Sequence, residues 1–405
     1  MGLSARFTKA LDDLRASYWF VPSVLVLGTI GLAQITIAID RNPDVLPFAM
    51  SNLASSVSVD GARQVLAVIA QSMIGVAGVM FSITMVAVAF ASGQYGPRLI
   101  GNFMRDRGNQ WSLGILISAF VYGLLILRSV QSPGEGEFFV PHLSVFVAMG
   151  IAMVAVYAVI YHVHHVPETI NVSNIIAGLG RRFVNEVERL SSLGPAPENA
   201  PPPSVQTWVD IEMTTQGYVH SIAVRQLSDL AVENNWWIEI LTPPGTFVHT
   251  RRPVLRILGP SSLSEDEQAE LRRSVALGDS KTEDQNLMFI AEQLVEIVGR
   301  AMSPGINDPF TAITCMQWLQ AGLVIAAEHK SGLPVFQEDR VNLAPISFGQ
   351  LLNGSLGDCL PYVRPDHMAR RELRDLLVRL GNGQPGTSEI QEAVEPLLAQ
   401  LSIDT

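Results

Sequence analysis

Few side chains in this sequence have the type and spacing to do chemistry. His162, His164 and His165 stand at the end of an apolar run, and His162 and His165 lie one helical turn apart. Two imidazoles at that spacing have the reach to share a metal ion, but the plainer reading is a polar helix end at a membrane interface, and no metal is expected. Glu292, Glu296 and Arg300 recur at four-residue steps, the pattern of an intrahelical ion-pair ladder. The two cysteines, Cys315 and Cys359, lack metal-ligand spacing and the density of a disulfide scaffold, so they read as small buried hydrophobes. No nucleophile–base motif, phosphate loop, zinc signature or dinucleotide fingerprint is present, and no lysine sits in a lipoyl-type turn. The expectation is a protein without catalysis and without a cofactor.

Two further patterns bear on binding. Gly75, Gly78, Ser82, Met85, Ala89 and Ser92 recur at alternating steps of three and four within an apolar run. Small side chains let helix backbones approach closely in lipid, so this seam either packs within one bundle or meets its counterparts in a ring of subunits and lines an axial pore. Beyond it, Gln94 and Arg98 join Ser92 as polar groups where the helix leaves the membrane, a candidate cytoplasmic mouth favouring anions. Gly93-Gln94-Tyr95-Gly96 lacks the rest of a potassium-filter sequence and lies on the wrong side. In the tail, Ser303, Pro304, Gly305, Asn307, Asp308 and Pro309 form a helix–turn–helix corner. Pro304-Gly305 stops one helix, Asp308 or Asn307 caps the next, and Pro309 takes its first position. The functional reading of that corner is a ligand or subunit contact on exposed helix N–H groups.

The elements that must carry these residues follow from composition. The chain has 405 residues, 48% hydrophobic and only 16% charged. Soluble domains carry roughly 25% charged residues, and the deficit here is confined to Tyr18–Tyr161. Four runs are long enough to span a bilayer: Trp19–Ile39, Val65–Ala91, Trp111–Val130 and Val140–Tyr161. The first is not a cleavable signal, because no small-residue cleavage pattern follows it. Arg6, Lys9, Arg15, Arg98, Arg105, Arg107, Arg181, Arg182 and Arg189 fall on one side, against Arg41 and Arg63 on the other, toward which Arg128 at the end of the third run can snorkel. The positive-inside rule then puts both termini in the cytoplasm. The net charge of −11 argues against a nucleic-acid partner.

The expected fold is therefore an all-α membrane domain of four transmembrane helices (residues 1–166), followed by a cytoplasmic α+β domain. An amphipathic juxtamembrane helix, Asn174–Leu193, and a Pro-rich linker fill residues 167–204. A small β-rich subdomain (205–260) carries strands at Trp208–Met213, Tyr218–Val224, Trp236–Leu241 and Val254–Leu258, with hairpins like those of small β-barrels. A helical bundle (261–405) follows, with helices at Glu265–Ala276, Glu283–Met302, Pro309–Glu328, Phe348–Leu360, Pro365–Leu380 and Ser388–Leu401.

Three strings taken together, Ala91-Ser92-Gly93-Gln94-Tyr95-Gly96-Pro97-Arg98-Leu99, Met104-Arg105-Asp106-Arg107-Gly108-Asn109-Gln110 and Ser303-Pro304-Gly305-Ile306-Asn307-Asp308-Pro309, resemble the bacterial predicted-membrane-protein family catalogued as domain of unknown function 2254. The similarity runs over most of the chain, with Gly93 standing where serine is usual. The resemblance implies a bacterial inner-membrane protein and assigns no substrate or functional residue. Two functions remain open at this level. One is a homo-oligomeric channel or pore-like protein with the second helix on its axis, whose partners are the bilayer, further copies of itself and a small ion. The other is a non-conducting membrane-anchored sensor or scaffold whose tail binds a cytoplasmic ligand or partner.

Overall fold

The apolar runs fold as helices α1 (Phe20–Asp40), α2 (Val59–Tyr95), α3 (Arg107–Ser129) and α4 (His142–Thr169). The computed structural model describes residues 17–42, 58–95, 106–131, 139–194, 207–382 and 387–402. The basic N-terminal arm, Arg98, Arg105 and most of the Pro-rich linker lie outside the described residues. The chain divides into two units, one over Asp13–Gly93 and Pro97–Asn171, the other mainly over Val172–Thr405.

In the first unit, α1, α3 and α4 pack on one another, and α2 joins them through a narrow stripe that includes Ala62, Leu66, Ala77 and Met80. The close helix crossings use glycine. A Cβ on Gly114 would meet Pro22 and Leu25 of α1, and one on Gly123 would touch Ala70 and the Leu66 carbonyl of α2. Two of the four helices run several residues past their expected C-terminal ends. α2 runs on through Gly93 to Tyr95, and α4 runs through the three histidines to Thr169.

The second unit begins with α5 (Val172–Ser192), whose buried face carries Ile176, Leu179, Phe183 and Val187. Two sheets follow. One has the order β1 (Trp208–Glu212), β5 (Pro253–Leu258), β3 (Trp237–Ile240), β7 (Val341–Asn342), with β3 and β7 parallel. The other has the order β4 (Phe247–Val248), β2 (Gly217–Ile222), β6 (Val275–Gly278). The barrel-like hairpins are thus replaced by two open sheets. Helix α6 (Val224–Glu233) intervenes between β2 and β3, which enter different sheets. Strands β6 and β7 arise from the stretch read as helical. Helix α7 (Glu265–Arg273) starts at Ser264, where the Ser264 hydroxyl and the Glu267 carboxylate form a reciprocal capping box.

The remaining helices are α8 (Leu287–Ala301), α9 (Pro309–Ala326), α10 (Phe348–Leu352), α11 (Asp358–Val363), α12 (His367–Asn382) and α13 (Thr387–Ser402). The expected Phe348–Leu360 helix is α10 and α11 joined by a π-helical turn, Asn353–Gly357. Five helices among the described residues, α1 to α4 and α9, are long and apolar enough to cross a membrane, against the four expected. The fifth escaped because it is only 18 residues long and carries interspersed Thr and Gln. It packs on α5, α8 and α12 within the second unit.

Candidate functional site

The seam on α2 faces away from its own bundle. Gly75, Gly78, Ser82 and Ala89 are exposed, and Met85 and Ser92 are half-buried. The residues that α2 buries are Ala62, Leu66, Ala70, Ala77, Met80 and Thr84, together with Ala91. A Cβ on Gly75 or Gly78 would meet nothing within 4 Å, in contrast to Gly114 and Gly123. The Ser82 hydroxyl donates to the Gly78 carbonyl at 2.9 Å, which satisfies it within the helix. The same face carries Gln64 and Gln71, both exposed. Neither was singled out in the sequence. The signal was available, because stepping back by seven from Met85 gives Gly78, Gln71 and Gln64. Gln94 falls in the last turn of α2, and its side chain, like Arg98, lies outside the described residues.

Both ends of α4 are held by carboxylates from elsewhere in the unit. At its start, Asp40 of α1 accepts from the Leu143 and Ser144 amides and from the Ser144 hydroxyl. At its far end, Asp106 caps α3 by accepting from the Asn109 amide at 2.9 Å, and both of its oxygens lie 2.9–3.0 Å from His165 Nε2. Tyr161 stacks on the His165 ring at 4.9 Å. His162 instead points to Thr84 of α2 at 3.5 Å. The two histidines one turn apart therefore engage different partners, and no cluster of three or more metal-ligating side chains occurs among the described residues. Asp106 was legible as an N-cap, an aspartate just ahead of an apolar run.

In the tail, the corner forms as expected at its second half. The Asp308 carboxylate accepts from the Thr311 amide at 3.2 Å and from its hydroxyl at 2.6 Å, with Pro309 opening α9. Asn307 takes the left-handed conformation (φ 49°), and the Asp308 amide returns to the Ala301 carbonyl at 2.8 Å. Ser303 donates its hydroxyl to Arg300, while Pro304 and Gly305 lie exposed between the helices. Ile306 and Phe310 are exposed at this corner, Phe310 to 71%.

Glu292 of α8 pairs with Lys281 of the preceding loop at 2.6 Å. Helix α8 starts at Leu287, not Glu283, because the preceding loop is committed elsewhere. Glu283 pairs with Arg182, and the Gln285 amide brackets both backbone groups of Ile222. His220 Nε2 donates to the Ser280 carbonyl at 2.5 Å, and Asn286 caps α8 through the Phe289 amide. The whole constellation holds the loop between sheet and helices; it offers no nucleophile beside a base.

A unit of long apolar helices joined in sequence to a sheet-and-helix unit defines a multi-pass membrane protein. The family model described as predicted membrane protein (DUF2254) matches residues 15–379, and the chain belongs to that family. It is similar to an uncharacterized protein of Mycobacterium bovis, 29% identical over 323 residues. Two uncharacterized proteins of Mycobacterium tuberculosis match over the same length at 29% and 28% identity. Each match covers 77% of this chain and 60% of the relative's length. No solved structure matches the chain.

Proposed function

We propose that this chain is a homo-oligomeric, channel-like protein of the bacterial inner membrane, without catalytic activity, in which α2 of each copy lies at the oligomer axis. The observation that carries this reading is the outward direction of the small-residue seam. The glycines that tighten the bundle are on α3, while Gly75 and Gly78 of α2 stand open on a face that also presents Gln64 and Gln71. A glutamine amide in contact with lipid lacks hydrogen-bond partners, and among the described residues none reaches Gln71. An amide is both donor and acceptor, so copies of Gln71 around an axis complement one another. In this reading α1 to α4 cross the membrane, α9 belongs to the tail, and both termini are cytoplasmic, as the distribution of arginine and lysine favours.

The test is oxidative cross-linking of Ser82→Cys in native membranes, together with ion flux in liposomes. The expected result is a cross-linked ladder of defined size and a flux reduced by Gly78→Leu. Charge reversal at Arg98 is expected to change ion selectivity. A sealed monomer without flux overturns the proposal. Cross-linking without flux favours the second reading, a non-conducting scaffold, for which the exposed Ile306 and Phe310 of the tail corner are the supporting observation.

A further inference from the structure

His162 is 3% exposed, yet its Nδ1 has no hydrogen-bond partner. Its other nitrogen, Nε2, lies 3.5 Å from the Thr84 hydroxyl oxygen, the long end of a hydrogen bond. Thr84 is itself buried and donates its proton to the Met80 carbonyl at 3.0 Å. The Thr84 oxygen is therefore left to accept. The proton on the neutral imidazole belongs on Nε2, and Nδ1 is a bare lone pair enclosed between α2 and α4.

We propose that His162 is a proton-binding site that links the packing of α2 on α4 to the pH of the adjoining water. One turn along α4, the His165–Asp106 pair is about one-fifth exposed, so water reaches the pair. His165 on α4 and Asp106 at the head of α3 are the titratable groups that act on His162. From α2 it meets Thr84 and the Met80 carbonyl, and Tyr18 is the titratable group beside that same Thr84. His164 faces Glu168 at the surface and takes no part. A proton from water adds to Nδ1 and turns the ring into an imidazolium. The new N–H has no acceptor in the packed arrangement, because nothing lies within hydrogen-bond reach of Nδ1, while Asp106 is held on His165 and the Asn109 amide. A buried cation without an acceptor is costly, so the protonated state opens the contact to admit water or to redirect Asp106. Thr84 lies one residue from Met85 and two from Ser82, so such an opening also turns the outward face of α2. The proton site itself does not depend on whether copies assemble.

The test uses the full chain in detergent, with deuterium exchange at the C2 position of each histidine ring followed by mass spectrometry between pH 5 and pH 8. The expected result is a sigmoidal inflection at His162 within that range. Thermal unfolding supplies the second measurement. The melting temperature of the wild type is expected to fall by several degrees from pH 8 to pH 5. His162→Gln and His162→Phe are expected to lose at least half of that fall, and His165→Gln to retain it. A flat or absent exchange profile at His162 overturns the proposal. So does a pH-dependent fall in melting temperature that both His162 variants share with the wild type.

Discussion

Asp40, the last residue of α1, caps α4 from a distance of more than a hundred residues. One oxygen accepts from the Leu143 amide at 2.9 Å; the other accepts from the Ser144 amide at 3.0 Å and from the Ser144 hydroxyl at 2.6 Å. The residue in the N-cap position, Pro141, supplies no side-chain hydrogen bond, so the carboxylate of a neighbouring helix satisfies the first free amides. Asp40→Ala leaves those amides without a protein acceptor and is expected to cost about 1–2 kcal/mol. Equilibrium unfolding of the detergent-solubilised chain measures it, and an unchanged midpoint would show that water serves the amides as well.

Helices α5 and α9 approach through two glycines. The Trp318 ring occupies the space that a Cβ on Gly180 would need, and the Phe183 ring does the same at Gly322. Phe183 is fully buried and has little room to yield, while Trp318 is half-buried. Gly180→Ala and Gly322→Ala are each expected to destabilise the second unit by about 1–3 kcal/mol through overpacking. Faster limited proteolysis within the tail would register the loss.

The capping box of α7 predicts an acid-sensitive contribution. Hydrogen bonds from the Ser264 hydroxyl and amide hold the Glu267 carboxyl below its ordinary pKa. A carboxylate whose pKa is lower folded than unfolded stabilises the fold above its ordinary range, and that stability is lost as pH falls through the lowered value. Glu267→Gln should therefore melt below wild type at pH 7, with the difference shrinking as pH falls through the lowered value. A difference that persists in acid would assign the effect to shape and not to charge.

Cys315 and Cys359 are both fully buried. Burial and the charge of the adjoining Asp358 push the Cys359 thiol up, further from the reactive thiolate. The folded chain is expected to take up no maleimide at either position and two equivalents after denaturation, read by intact mass. Labelling in the folded state would contradict the packing of α9 and α11. The same inertness makes a cysteine introduced at Ser82 readable without removing the native pair.

What could be read from the sequence was whatever a single stretch of chain determines. Apolar length marked α1 to α4, and the Asp308-Pro309 signal marked the start of α9, because caps and spans are local. The short strands β6 and β7 could not be read this way. Val275–Gly278 and Val341–Asn342 are strands only because β2 and β3 lie beside them. The start of α8 was set by Gln285 and Glu283 reaching Ile222 and Arg182, partners 63 and 101 residues away. The direction of the α2 seam was likewise undecidable, because an uninterrupted apolar run does not reveal which stripe its neighbours cover. The pairing of His165 with Asp106 joins residues 59 apart, and helical spacing alone indicated only a polar helix end, with no partner for it.

Helix α2 is 37 residues long and contains no proline. At 1.5 Å per residue it is a rod of about 55 Å, against a hydrocarbon core of about 30 Å. Nearly half of it must stand outside the oily layer or be absorbed by inclination. A stiff rod of this length acts as a mechanical amplifier: a ten-degree swing about one end carries the other by about 10 Å. Small rearrangements near Thr84 would therefore be felt as large excursions at Val59, and a change in bilayer thickness would act on the inclination of the same rod.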